Sequence, residues 1–164
     1  MTVIFCHGLE SSPHGRKYQA LRAAGFAVVS PDFQGQVLAA RVATLLPVLR
    51  AAPDAVVVGS SYGGITALCA AVLHVEAGGS LRGLLLCAPA LGHREPPADH
   101  MHLYPPAPTI ILHGRGDAIV PAGVSEAFAA EHPQVRLDLV DDEHTLTASI
   151  DRIVAHTRAL LAGA

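Results

Sequence analysis

The sequence predicts a doubly wound α/β domain, with a parallel sheet of about six strands and helices on both faces. Three observations carry that expectation. Short apolar, β-branched runs recur along the chain, most are apolar on consecutive positions, and the stretches between them show helical periodicity. A strand apolar at every position is buried on both faces, as in a parallel sheet covered by helices.

The strand runs are Val3–Cys6, Phe26–Ser30, Ala55–Gly59, Gly83–Cys87, Thr109–Leu112 and Val135–Val140. Before the second, Gly25 follows Ala23 and Ala24, which suits a helix end because glycine takes left-handed φ without a Cβ penalty. Leu38, Val42, Leu45, Leu46 and Leu49 then recur at helical spacing. Pro47 within them predicts a kink or an early end. Ile65–Val75 reads as the helix after the third run, and Pro121 suits the first turn of a helix that begins there. Leu146, Ile150, Ile153, Val154, Leu160 and Leu161 line one face of a last helix. The irregular stretch is His93–Pro108, with five prolines and three histidines. It is too short for a folded lid but long enough for a loop over a site.

At 164 residues the chain is one domain, 1–164. A composition 51% hydrophobic and 15% charged, with 15 glycines and 12 prolines, excludes disorder and coiled coil. The formal charge of −3 comes with scattered basic residues. Nucleic acid needs a concentrated cationic surface, so it is not an expected partner, and no basic tail offers a membrane-surface site. No apolar run reaches the ~18 residues of a membrane span. The chain enters an apolar run at Val3 with no basic segment before it, so a soluble, cytoplasmic protein is expected. Cys6, Cys69 and Cys87 each sit in an apolar stretch, as buried thiols in a reducing compartment do.

In a doubly wound sheet the loops after the strands carry the chemistry. One of them, Gly59-Ser60-Ser61-Tyr62-Gly63, matches G-x-S-x-G between a buried-strand run and a helical one. A serine on so sharp a turn needs neighbours without Cβ, which puts Ser61 at the tip. Ser60 is expected to hydrogen-bond the loop backbone.

A serine hydroxyl is a poor nucleophile until a base takes its proton, and a histidine base needs a carboxylate to hold its tautomer. Both occur after later strands, in the order Ser, Asp, His. Asp117 lies in His113-Gly114-Arg115-Gly116-Asp117, and His144 in Asp141-Asp142-Glu143-His144. Asp138, Asp141 and Asp142 are rivals for the acid. Among the other histidines, His14, His93, His100, His102, His132 and His156 read as solvated and His74 as helical, while His7 and His113 end strands and support loop geometry.

An oxyanion needs backbone N–H donors. Tyr62 supplies one at the start of a helix; the second comes from the loop after the first strand, at Leu9, with Glu10 as the alternative. Leu91, Met101, Leu103 and Tyr104 either line an acyl pocket or pack the His93–Pro108 loop down. His100 and His102 lack matched ligand spacing, so neither metal nor cofactor is expected.

The phrase His7-Gly8-Leu9-Glu10-Ser11-Ser12-Pro13, the Gly59–Gly63 turn, the Asp117 loop ending in Val120-Pro121, and Asp142-Glu143-His144 resemble the α/β-hydrolase superfamily over nearly the whole length. Among its members they look like the compact bacterial esterases of the YqiA type. The resemblance implies a minimal fold without a cap domain, starting at what would be the third strand of larger members. It also implies a serine hydrolase, commonly an esterase or thioesterase, with Ser61, Asp117 and His144 as triad.

The expected substrate is a small acyl ester or thioester, with Glu10, Leu91, Met101 and Tyr104 as candidate substrate contacts. Acyl transfer and C–C hydrolysis use the same triad on the same fold. From other classes, a nucleotide-binding protein is disfavoured because neither G-x-G-x-x-G nor G-x-x-x-x-G-K-[ST] follows a strand. A non-catalytic binder would keep the geometry without the reaction.

Overall fold

Six strands and five helices form among residues 1–163, which the computed structural model describes. In chain order they are β1 (Thr2–Cys6), α1 (Arg16–Ala23), β2 (Ala27–Val29), α2 (Leu38–Ala51), β3 (Val56–Ser60), α3 (Tyr62–Glu76), β4 (Gly83–Cys87), β5 (Thr109–Gly114), α4 (Gly123–Glu131), β6 (Arg136–Val140) and α5 (Ile150–Ala162). Every strand pair is parallel, in the order β2-β1-β3-β4-β5-β6. The order reverses between β1 and β3, and the carboxyl ends of strands at such a reversal form the crevice where ligands bind.

Consecutive apolar residues serve two cores because successive side chains leave a strand on opposite faces. Ile4, Cys6, Val57, Leu84, Leu86 and Ile111 pack with α2 and α3 on one side. Val3, Phe5, Val58, Leu85, Ile110 and Leu112 pack with Leu21 of α1 and with Ile153 and Leu160 of α5 on the other. The three thiols are buried and free, and burial pushes each up to about 12. No described helix is long and apolar enough to cross a membrane.

Several local expectations need correction. Helix α2 does not end early but runs through Pro47 to Ala51. A proline inside a helix costs about 3 kcal/mol. Fully burying Leu38, Leu45 and Leu49 outweighs that, at ~1.5–3 kcal/mol each. Helix α4 starts at Gly123 and not at Pro121, because the Asp117 carboxylate holds the Ile119 and Val120 N–H groups in a turn just before it. Leu146 is no part of the last helix: it reaches the core from a turn, at φ 54°. Helix α5 starts only at Ile150, and Val154 on it is half-buried.

The β4–β5 connection carries no helix. Apolar side chains of the His93–Pro108 loop, among them Ala98, Met101, Leu103 and Tyr104, pack on the α2/α3 core instead.

Candidate active site

Ser61 turns the chain from β3 into α3 at φ 55° and ψ −116°, a region that costs an L-residue ~1–3 kcal/mol. A Cβ on Gly59 would come within 2.5 Å of the Gly63 carbonyl oxygen, and one on Gly63 would overlap the Cys6 carbonyl. Both positions therefore exclude a side chain, as the spacing predicts. The Ser61 N–H donates to the Cys87 carbonyl at 2.9 Å, and the Ser61 carbonyl accepts the N–H groups of Gly64 and Ala90. The backbone is held in its unfavourable conformation from both sides. Ser60 makes no side-chain hydrogen bond among the described residues, contrary to expectation; it closes β3 and lines the cleft.

The loops after β5 and β6 bring two further groups to the Ser61 hydroxyl. His144 Nε2 lies 2.9 Å from Ser61 Oγ, and His144 Nδ1 lies 2.7 Å from Asp117 Oδ2. A carboxylate only accepts, so Nδ1 carries the ring proton and Nε2 accepts from the serine. A hydroxyl so placed can give up its proton as it attacks a carbonyl.

Asp117 is buried, and its carboxylate accepts four hydrogen bonds. Oδ1 takes the N–H groups of Ile119 and Val120 at 2.9 and 2.8 Å, and Oδ2 takes His144 and His113 Nε2 at 2.7 and 3.1 Å. Burial pushes this carboxyl up, but the His144 hydrogen bond and the two backbone donors outweigh it and hold it below the ordinary value. His113 is fastened in turn by the Ser125 hydroxyl, 2.7 Å from its Nδ1.

The rivals are engaged elsewhere. Asp138 pairs with His156 and Arg152, Asp141 with Arg115, and Asp142 with Ser149. His156, read as solvated, is buried, because it meets Asp138 at the flank of β6. His7 supports its loop as expected, donating from Nδ1 to the Gly8 carbonyl and accepting the Phe33 N–H at Nε2. His100 lies beside Asp99, and His102 stacks on Tyr104.

The β1 loop closes the near side. A Cβ on Gly8 would lie 3.7 Å from the Ser61 Cβ. The N–H groups of Tyr62, Leu9 and Glu10 have no hydrogen-bond acceptor among the described residues.

A cleft of about 750 Å³ opens over Ser61 and His144, with Leu9, Glu10, Ile119 and Val120 among its walls. Glu10 thus sits where substrate contact is expected. Leu91, Met101 and Tyr104 do not line it: with Leu103 they pack onto the α2/α3 core, because their loop stands in for a crossover helix. From the β4–β5 connection Ala90 and His93 reach the cleft instead.

Two cations escaped the sequence reading. Lys17 donates to the Thr145 carbonyl at 2.7 Å, next to His144, and burial lowers its ammonium below the ordinary lysine value. Arg41 is completely buried on α2. Its signal was present, as a charged residue between Leu38 and Leu45 on the apolar stripe.

The alpha/beta hydrolase family matches the chain over residues 3–163. Among solved structures, a protein assigned to the alpha/beta hydrolase superfamily from Xanthomonas campestris pv. campestris is 27% identical, with a TM-score of 0.80 over 99% of this chain and 98% of its own. Est1E from Butyrivibrio proteoclasticus is 20% identical, with a TM-score of 0.78 over 98% of this chain and 88% of its own. BorB, a type II thioesterase from the borrelidin biosynthetic cluster, is 21% identical, with a TM-score of 0.73 over 98% and 91%. No curated protein matches the sequence.

Proposed function

The chain belongs to the alpha/beta hydrolase family, and on that premise we propose that it hydrolyses a small carboxylic ester or thioester through an acyl-serine intermediate. The observation that carries the reading is the continuous relay from Ser61 Oγ through His144 to Asp117, at 2.9 and 2.7 Å. Ser61 Oγ attacks the acyl carbon while His144 Nε2 takes the hydroxyl proton. The carbon–heteroatom bond then breaks, and His144 returns that proton to the leaving alkoxide or thiolate. Water, deprotonated by the same imidazole, attacks the acyl-serine and releases the acid. Asp117 holds the tautomer and stabilises the imidazolium.

In both steps the tetrahedral oxyanion rests on the N–H groups of Tyr62 and of the β1 loop. Such donors lower the barrier because they already point at the charge as it develops. The apolar side chains of Leu9, Ile119 and Val120 beside Ser61 suit an acyl group. The fold shared with a type II thioesterase keeps a thioester beside an ester.

Labelling with a fluorophosphonate, followed by peptide mass mapping and a Ser61→Ala control, tests the reading. Modification at Ser61 alone is the expected result. A folded protein that resists the probe and turns over no ester or thioester would overturn it.

A further inference from the structure

Arg41 is fully buried, yet it forms no ion pair with a carboxylate among the described residues. A buried charge is costly unless its hydrogen bonds are satisfied. Here the acceptors are three backbone carbonyls: Nε donates to Gln36 at 3.1 Å, Nη1 to His7 at 2.9 Å and Nη2 to Gly8 at 3.5 Å. The guanidinium also lies over the Tyr62 ring, 4.6 Å from its centroid. One cation thus touches the residue that follows Ser61 and the carbonyls of the loop that faces it.

The Gly8 carbonyl is the informative partner. In a trans peptide the C=O and the next N–H point in opposite directions across one rigid plane. The carbonyl is held by Arg41 and by His7 Nδ1–H at 2.8 Å, both buried groups, so the Leu9 N–H faces away from them. Gly8 packs beside Ser61, and Leu9 lines the cleft. Of the two β1-loop donors, Leu9 is therefore the one whose direction the buried groups dictate.

We propose that Arg41 is a positioning residue for the oxyanion hole: by holding the His7 and Gly8 carbonyls it turns the Leu9 N–H into the cleft beside Ser61. This rests on the hydrolase reading above. The positive charge has the sign that favours an oxyanion, and its cation–π contact steadies the Tyr62 side of the hole. An arginine is needed because its planar fork presents several donors in fixed directions, whereas a lysine ammonium is a point charge that cannot hold all three carbonyls.

The test compares wild type with Arg41→Met and Arg41→Lys, each checked for folding by circular dichroism and thermal melting. For ester hydrolysis kcat should fall ~10–100-fold in Arg41→Met with KM little changed, somewhat less than deleting an oxyanion donor outright. Arg41→Lys should recover part of that loss. Inhibition by a trifluoromethyl ketone, whose hemiketal places an oxyanion in the hole, should weaken by the same factor as kcat/KM. A purely structural role would not link the two. If Arg41→Met does not fold, Arg41→Lys decides by the same two readouts. Folded variants with wild-type kcat and ketone affinity overturn the role of Arg41 alone. Wild-type protein that neither labels at Ser61 nor hydrolyses an ester overturns the hydrolase reading and this proposal with it.

Discussion

His113 and His144 share one oxygen: His113 Nε2 lies 3.1 Å from Asp117 Oδ2, the atom that faces His144 Nδ1 at 2.7 Å. His113 is completely buried, and Nε2 also donates to the Val120 carbonyl at 2.8 Å. His113→Phe leaves the Ser125 hydroxyl and the Val120 carbonyl unpaired, which should cost about 1–3 kcal/mol of stability. Asp117 keeps three other donors, so kcat should fall only ~10-fold, far less than when the acid itself is replaced. Urea melts and steady-state kinetics check both numbers.

Ser61→Ala should remove turnover and leave the fold intact, since the hydroxyl contributes little packing. Ser61→Gly should do the same and also raise stability by ~1 kcal/mol, by relieving the positive φ. A glycine variant no more stable than the alanine one would show that the turn is not strained.

Asp117→Asn should lower kcat ~10⁴-fold with little change in KM, because the wrong histidine tautomer then faces the serine. The Asp117 carboxyl is held below its ordinary value. Its ionised form therefore persists above that value and is lost only as pH falls through the lower folded one. The acid limb of kcat/KM between about pH 5 and 8 should then report a group other than Asp117.

Gly63→Ala places a Cβ on the Cys6 carbonyl. Backbone cannot swing aside as a flexible side chain does, so a loss of ~2 kcal/mol or more is expected. Gly123→Ala, whose Cβ would meet nothing within 4 Å, is the control and should be neutral or stabilising. Equal melting temperatures for the two would contradict the packing around the serine turn.

Asp138 accepts from His156 at 2.7 Å and from Arg152 at 2.8 Å. Burial pushes its carboxyl up, but these two partners outweigh it and hold it below the ordinary value. The stability it adds is complete above the unfolded value of about 3.9 and is lost as pH falls through the folded one. Asp138→Asn should thus cost about 1–3 kcal/mol at pH 7 and progressively less below about pH 4. Urea melts at pH 7 and pH 3 would show the convergence.

The strands were readable because burial on both faces leaves a local mark: Leu84, Leu85 and Leu86 are apolar in sequence and wholly buried in turn on the two faces of the sheet. The serine turn was readable for a similar reason, since Gly59 and Gly63 answer to clashes within a few residues and with the strand alongside. Helix ends were less readable. Leu146 obeys helical spacing and is buried, but it sits in a turn that Glu143 and Ser149 shape.

The acid was readable from the order of the strand-end loops and not from proximity in the chain. His144 has Asp141 and Asp142 three and two residues before it, yet it pairs with Asp117 across 27 residues and with Ser61 across 83. Only the order of the strands brings those loops together.

By itself, then, the sequence determined the alternation of strands and helices, the central strands buried on both faces and the residue types that stand at the strand ends. Those properties depend on neighbours a few positions apart. The tertiary structure alone decided where the rival carboxylates are engaged, that the His93–Pro108 side chains pack on the core in place of a helix, and that a buried Arg41 reaches the loop beside the serine. Each of these depends on distances between segments far apart in the chain, which exist only once the sheet has set them side by side.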